Sequence, residues 1–276
     1  MKSHDYIRRI ILCITVVLLA VSRQTALSLK EENPRTENHQ RAETILLYQR
    51  NSGGWPKNYE REEKLLKNVR SKVLSEKNKN DAMIDNGATH TEIRLLADAY
   101  EETSDNRFRD AAIKGITYLL TAQYDNGGWP QRFPKPGGYA KHITFNDNAM
   151  IGVMSLMRDI LVDRKKFSFV PKDVHAQCEK AIERGIRCIL KCQIKVNGRR
   201  TVWCAQHDEN TFQPRKARSY ELASFSGNES VEVVRFLMQV DQPGKQVIEA
   251  IDGAVAWFEQ SKLEGIKLVS IEDPTK

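Results

Sequence analysis

Gly53-Gly54-Trp55-Pro56 recurs as Gly127-Gly128-Trp129-Pro130 and then, with only the tryptophan kept, as Thr201-Val202-Trp203. Each tryptophan lies 74 residues after the one before it. Each is preceded by an apolar segment of helical spacing that closes on a glutamine: residues 45–49 with Gln49, 116–123 with Gln123 and 186–193 with Gln193. Turn signals (Ser52-Gly53, Asn126-Gly127, Asn197-Gly198) then end the helix. A fourth helix, residues 254–260, closes on Gln260 and is expected to begin another turn of the same pattern. A repeat of this length marks an architecture stacked from equivalent units.

Second helices are expected between these marks, because apolar residues fall at i, i+3, i+4 and i+7. They are Ile93, Leu96, Ala97 and Tyr100; Met150, Val153, Met154 and Met157; and Val231, Val234 and Met238. Period-2 alternation is scarce. About three helical hairpins joined by long Gly-rich loops imply an all-α fold, an α/α toroid, with a few short strands in the loops and the loops gathered at one end.

The N-terminus reads differently. Residues 1–28 combine Lys2, Arg8 and Arg9 with an apolar run over 10–21 and small residues Ala26 and Ser28, the pattern of a secretory signal. That run is short of the roughly 20 residues a membrane span needs, so export with cleavage, and no membrane association afterwards, is expected. The chain carries +7, of which Lys2, Arg8, Arg9 and Arg23 against Asp5 account for three, leaving +4 for the rest. That surplus suits a polyanion, but no basic tract with interleaved aromatics points to nucleic acid. Residues 29–40, charged and poor in apolar groups, are expected to be a disordered lead-in, and 41–276 the functional domain. Residues 57–81 are lysine-rich and read as a solvated helix or loop with no chemistry. Cys13 falls in the leader, and Cys178, Cys188, Cys192 and Cys204 read as packing thiols or one disulfide. Cys188, Cys192, Cys204 and His207 match no closed zinc spacing.

A polar cluster precedes each second helix: Asp85-Asn86-Gly87-Ala88-Thr89-His90-Thr91-Glu92, then Thr144-Phe145-Asn146-Asp147-Asn148, then Ser226-Gly227-Asn228-Glu229. Thr89 with Glu92 and Ser226 with Glu229 fit capping boxes. Asp85, Asn86 and Asp147 fit either helix caps or convergent hard-oxygen ligands for Ca²⁺. A third loop holds Trp203, His207, Arg215, Arg218 and Tyr220. Its charges form either a solvated face or a surface where a sugar stacks on Trp203 and arginines grip carboxylates. Trp55, Trp129 and Trp203 equally fit core pegs of their repeats, and for Trp55 that reading is preferred.

Taken together, Asp85-Asn86-Gly87-Ala88-Thr89, Gly127-Gly128-Trp129-Pro130-Gln131-Arg132-Phe133-Pro134, Ile143-Thr144-Phe145-Asn146-Asp147 and the stretch 203–227 resemble the pectate lyases of polysaccharide lyase family 10. The resemblance covers residues 42–260. It implies an α/α toroid, a secreted enzyme that cleaves polygalacturonate to a 4,5-unsaturated product, Ca²⁺ at the cleavage subsite and an arginine base. Carried onto this chain, it makes Asp85 and Asp147 the active-centre and calcium aspartates, Asn86 a further ligand and Arg218 the catalytic arginine, with Arg215 the competitor for that role. Lys141, Arg132, Trp203, His207, Arg215 and Tyr220 are the expected substrate contacts. Family members continue into a C-terminal Trp-Ala-Arg-Phe-Tyr-like block that binds substrate, and Thr275-Lys276 are reached without it; weakened binding or a non-catalytic pectin-binding protein is the alternative expectation. Two rival enzymes are a terpenoid cyclase, suggested by Gln123 to Trp129 but lacking an Asp-x-Asp-Asp motif, and a glycoside hydrolase using Asp85 and Asp147 as paired carboxylates.

Overall fold

In the computed structural model, residues 34–62, 65–267 and 269 are described. The expected leader, and residues 29–33 of the expected lead-in, lie outside them. Helix α1 (Pro34–Tyr48) begins inside the stretch expected to lack order, with a proline in its first turn, where the missing N–H goes unneeded. The other helices are α2 (Lys67–Ser75), α3 (His90–Thr103), α4 (Asn106–Ala122), α5 (Ala149–Val162), α6 (Lys172–Cys192), α7 (Gly227–Leu237) and α8 (Lys245–Ser261). Four two-residue strands complete the set: β1 (Ile143–Thr144) pairs antiparallel with β4 (Gln206–His207), and β2 (Lys195–Val196) with β3 (Arg199–Arg200). Among the described residues no helix is long and apolar enough to cross a membrane.

Within residues 39–276, α3 packs on α4, α5 on α6 and α7 on α8, so each hairpin is a unit. Successive hairpins meet in two layers, α3, α5 and α7 in one and α4, α6 and α8 in the other. This is the α/α toroid that the repeat predicts. The glutamines and tryptophans explain why the repeat exists. Gln49 Nε2 donates to the carbonyls of Gly53 (2.8 Å) and Ala111 on α4 (2.9 Å). Gln123 does the same to Gly127 (3.0 Å) and Ala181 on α6 (2.9 Å). Gln193 reaches Thr201 (2.8 Å) and Ala250 on α8 (2.7 Å). One amide thereby fixes the loop behind its own helix and the next helix beside it. Lys262 holds the place after α8 that Gln123 holds after α4 and Gln193 after α6. Gln260, expected to carry the pattern on, lies inside the helix.

Each tryptophan is fully buried and returns its indole N–H to the helix it follows: Trp55 to the Ile45 carbonyl, Trp129 to Leu119 and Trp203 to Ile189, each at 2.8 Å. The third link spans 14 residues instead of 10 because the β2–β3 hairpin, turning through Asn197 and Gly198 at positive φ, is inserted there. The glycines ahead of Trp55 and Trp129 permit close approach. Gly127 has φ +93°, and a Cβ there would sit 2.1 Å from the Arg184 carbonyl oxygen.

The second helices bury the expected faces in two cases out of three. Ile93, Leu96 and Ala97 on α3 and Met150, Val153, Met154 and Met157 on α5 are all fully buried, while Tyr100 of the α3 face is partly buried against the core. On α7 the buried face is Val233, Val234, Phe236 and Leu237, whereas Met238 is exposed. The helix ends at Leu237, so Met238 has left the periodic face. Residues 57–81 hold only the short helix α2, with Val73 its one buried residue. Lys77 in this segment donates to the Leu46 and Gln49 carbonyls, closing the end of α1, and burial lowers its ammonium to about 8.

Candidate active site

The tryptophan loops also build the site. The Trp55 carbonyl accepts the Met83 N–H, and Ile84 N–H donates to Gln131, which delivers the chain into a tight turn over Asp85–Gly87. In the next repeat Thr144 N–H donates to the Trp129 carbonyl, while Phe145 and Asn146 both donate to Ala205, leading into the turn Asn146–Asn148. The two turns pack against each other. Both are left-handed at their second residue, Asn86 (φ 50°) and Asp147 (φ 50°), a conformation that Asn and Asp tolerate best after glycine. By backbone shape Asp85 corresponds to Asn146 and Asn86 to Asp147, so the aspartates of the two clusters are offset by one residue.

Asp85 is buried, Asp147 is exposed and Asn86 is exposed with its amide on Asn58 (3.2 Å). The Asp147 carboxyl is raised above the usual carboxylate range, first by desolvation and then by the like charges of Asp85 and Glu229. Three carboxylates are therefore brought into one neighbourhood. Lys57 Nζ pairs with Asp85 Oδ2, and Asp85 Oδ1 is buried with no protein partner. An orphaned buried carboxylate oxygen beside two further carboxylates fits a hard cation bound by oxygen. Among the described residues, the sets whose ligand atoms lie within 4.8 Å of one another are His39, Glu43 and Asp105, and His142, Asp208 and Glu209. Asp85, Asp147 and Glu229 would have to draw together around an ion.

The remaining expected residues divide. Arg218 is exposed, with its Nε donating to Glu221 (2.8 Å) and its guanidinium over the Tyr220 ring at 5.0 Å. The Glu221 carboxylate raises the arginine further above its ordinary value, the reverse of what a base requires. Tyr220 is exposed beside it. Arg215 is exposed and paired with Asp208 (2.9 Å), and Lys141 is paired with Glu209 (2.9 Å), which also holds His142. Arg132 bridges to Met83 through its backbone, and its buried Nε has no protein partner.

Two expected substrate contacts are corrected. Trp203 is fully buried, so it is a core peg like Trp55 and has no face free for a sugar. His207 is also fully buried. Its Nε2 accepts the Cys204 N–H (3.0 Å) and its Nδ1 donates to the Phe212 carbonyl (2.8 Å), so both nitrogens shape the loop. Burial lowers it to about 4. The capping boxes are not formed either. Thr89 stands at φ 70°, accepting the Trp55 N–H (3.0 Å) and donating to the Met83 carbonyl (2.8 Å). Its expected partner Glu92 is buried on Tyr59 and Arg61. Ser226 donates its hydroxyl to the Glu229 carboxylate, leaving the helix end uncapped by either side chain. Cys178, Cys188, Cys192 and Cys204 are buried free thiols.

His90 on α3 is buried as well and lowered to about 3, by burial and then by Arg94. The unfolded chain protonates both histidines near pH 6.5, whereas the folded chain resists down to these lower values. Their stabilisation is therefore complete above about pH 6.5 and lost as the pH falls toward 4. Thermal melts between pH 8 and pH 4 are expected to show the decline beginning near 6.5, above the range where carboxylates titrate. An onset only near pH 4 would assign acid instability to carboxylates alone.

On this α/α toroid the paired Asx turns gather Asp85, Asp147 and Glu229 with Lys57 at one place. The profile of the family described as pectic acid lyase matches residues 49–276. Among solved structures, the Family 10 polysaccharide lyase from Cellvibrio cellulosa aligns with a TM-score of 0.70 and 37% identity, over 80% of this chain and 66% of that one. An aspartate-to-alanine mutant of that enzyme, in complex with trigalacturonic acid, aligns equally well over 80% of this chain and 67% of its own. Comparison with curated proteins found no match. The chain belongs to the pectate lyases of polysaccharide lyase family 10. It spans about two thirds of the length of these solved relatives.

Proposed function

We propose that the chain is a secreted pectate lyase that cleaves α-1,4-polygalacturonate by calcium-assisted β-elimination, leaving 4,5-unsaturated oligogalacturonides. The observation that carries this reading is the turn pair: Asp85 with one buried oxygen unpartnered, set beside Asp147 and Glu229 in a family member whose relative was captured with trigalacturonic acid. Asp85, Asn86 and Asp147 are the residues that would hold Ca²⁺. When bound there, the ion supplies neutralisation of the uronate carboxylate, which makes the C5 proton more acidic.

In this scheme the C5 proton is removed, a C4–C5 double bond forms and the C4–O4 bond breaks, the departing O4 keeping the bond's electron pair and taking a proton from solvent. Arg218 is the residue assigned to the proton. Glu221 holds it as the protonated guanidinium in the free protein, so it must first release a proton to solvent before the neutral guanidine can take the one from C5. Until then the arginine acts as a fixed positive charge toward the developing enolate. Arg132, Arg215, Lys141 and Tyr220 are assigned to the substrate's carboxylates and hydroxyls. The leader sequence supports export, and neither nucleic acid nor membrane is assigned as a partner of the mature chain.

Incubation with polygalacturonate tests the reading. Ultraviolet absorbance of the unsaturated product is expected to rise with Ca²⁺ present and to stay flat with a chelator. Saturated reducing ends without absorbance would replace elimination by hydrolysis, and binding without either product would leave a pectin-binding protein.

A further inference from the structure

Lys57 stands directly behind the first Gly-Gly-Trp-Pro motif, so the Trp55 peg fixes where its side chain starts. Trp55 N–H donates to Thr89 Oγ1 and the Trp55 carbonyl accepts from Met83, which holds residues 55–57 against the Asp85 turn. The ammonium then meets Asp85 Oδ2. The two partners are unequal. The Asp85 side chain is 3% exposed while that of Lys57 is 35% exposed. A buried carboxylate that loses its cation partner is strongly destabilising, whereas a lysine on its flexible stem can withdraw into water. Asp147 and Glu229 add negative charge to the same neighbourhood, and Lys57 lowers the Asp147 carboxyl against their effect.

We propose that Lys57 is an internal counter-ion that neutralises Asp85 in the metal-free protein and must withdraw when a divalent cation binds, so that it sets the calcium affinity of the site. The proposal rests on the calcium reading given above. Without Lys57, Asp85 would offer both oxygens to the ion at no cost in a broken ion pair, but the metal-free fold would carry an uncompensated buried charge. Lys57 thus exchanges metal affinity for stability of the empty site.

Calorimetric Ca²⁺ titration and metal-free melting of the wild type, Lys57→Met and Lys57→Gln test this, with Lys245→Met as a control for losing one exposed positive charge elsewhere. Both Lys57 variants are expected to bind Ca²⁺ roughly tenfold more tightly, the response to removing one half-buried competing ion pair. They are also expected to melt below the wild type in chelator and to gain more from saturating Ca²⁺ than it does. Lys57→Gln keeps a hydrogen-bond donor and serves if Lys57→Met fails to fold without metal. Unchanged or weaker Ca²⁺ affinity in the Lys57 variants, or an equal gain in Lys245→Met, would overturn the counter-ion role while leaving the calcium reading intact. No Ca²⁺ binding by any of the folded proteins would remove the calcium reading, and the proposal with it.

Discussion

Arg218→Lys is expected to lower turnover of polygalacturonate by about 10²- to 10³-fold, the loss typical of removing one group that stabilises transition-state charge or moves a proton. The melting temperature should hardly move, because Arg218 is exposed and its partner Glu221 lies three residues away on the same loop. A lysine keeps the charge but not the planar fork that engages Glu221 through two nitrogens. The substitution thus separates geometry from charge. Arg215→Lys is the matching control, since Arg215 was the competing choice in the same loop and is anchored on Asp208. Near-normal turnover in Arg218→Lys, with a large loss in Arg215→Lys, would transfer the assignment.

The second large effect concerns the scaffold. Trp129→Ala is expected to cost about 3–5 kcal/mol of stability, the range for emptying a fully buried aromatic site, to which the unpaired Leu119 carbonyl adds. Trp129 also lies under Gly185 of α6, and its carbonyl positions Thr144 ahead of the Asp147 turn. Loss of the indole therefore loosens a layer contact and a site turn together. Denaturant midpoints measure the first, and Trp129→Phe separates the two parts. Phenylalanine keeps much of the packing and gives up the hydrogen bond to Leu119, for which about 1 kcal/mol is the ordinary net value. Equal losses in the two variants would place the energy in that hydrogen bond rather than in the packing.

The fold was legible because its repeating device is local and chemically conspicuous: a glutamine that closes a helix, then a tryptophan, at constant spacing. The partners of those side chains were not legible, since they are main-chain carbonyls, Ala111, Ala181 and Ala250, whose residue type leaves no mark. Trp203 was misread for a related reason. Its cationic neighbours suggested a sugar platform, although the same repeat that made Trp55 a peg applied to it. The two polar turns that carry Asp85, Asn86 and Asp147 were legible through their composition, with the one-residue offset between them hidden until the backbone φ angles are seen. Spacing alone also placed Thr89 and Ser226 as caps, because a Ser/Thr-x-x-Glu pattern cannot report that Thr89 adopts a positive φ and spends its hydroxyl on the Trp55 loop.

Glu229 was taken for half of such a cap, and its charge on Asp147 went unseen. Glu221 was passed over as a partner of Arg218. Lys57 was lost inside a lysine-rich stretch read as solvated. Its position immediately after Pro56 was the available signal, since the corresponding residue of the second repeat, the buried Gln131, also lies beside the Asp85 turn.

The glutamine links have a consequence for how such a chain can change over generations. Because the N–H side of each amide grips peptide oxygens, that half of the link is indifferent to the side chains of the neighbour it holds, whereas the amide oxygens of Gln123 and Gln193 take Arg184 and Arg200. A hairpin copied in tandem, or borrowed from a related gene, would find the two carbonyl bonds at once, with an arginine like Arg184 the one matching side chain to be supplied. Drift elsewhere along the helix surfaces leaves those carbonyl bonds untouched, while the loop beyond each glutamine stays free to acquire new chemistry.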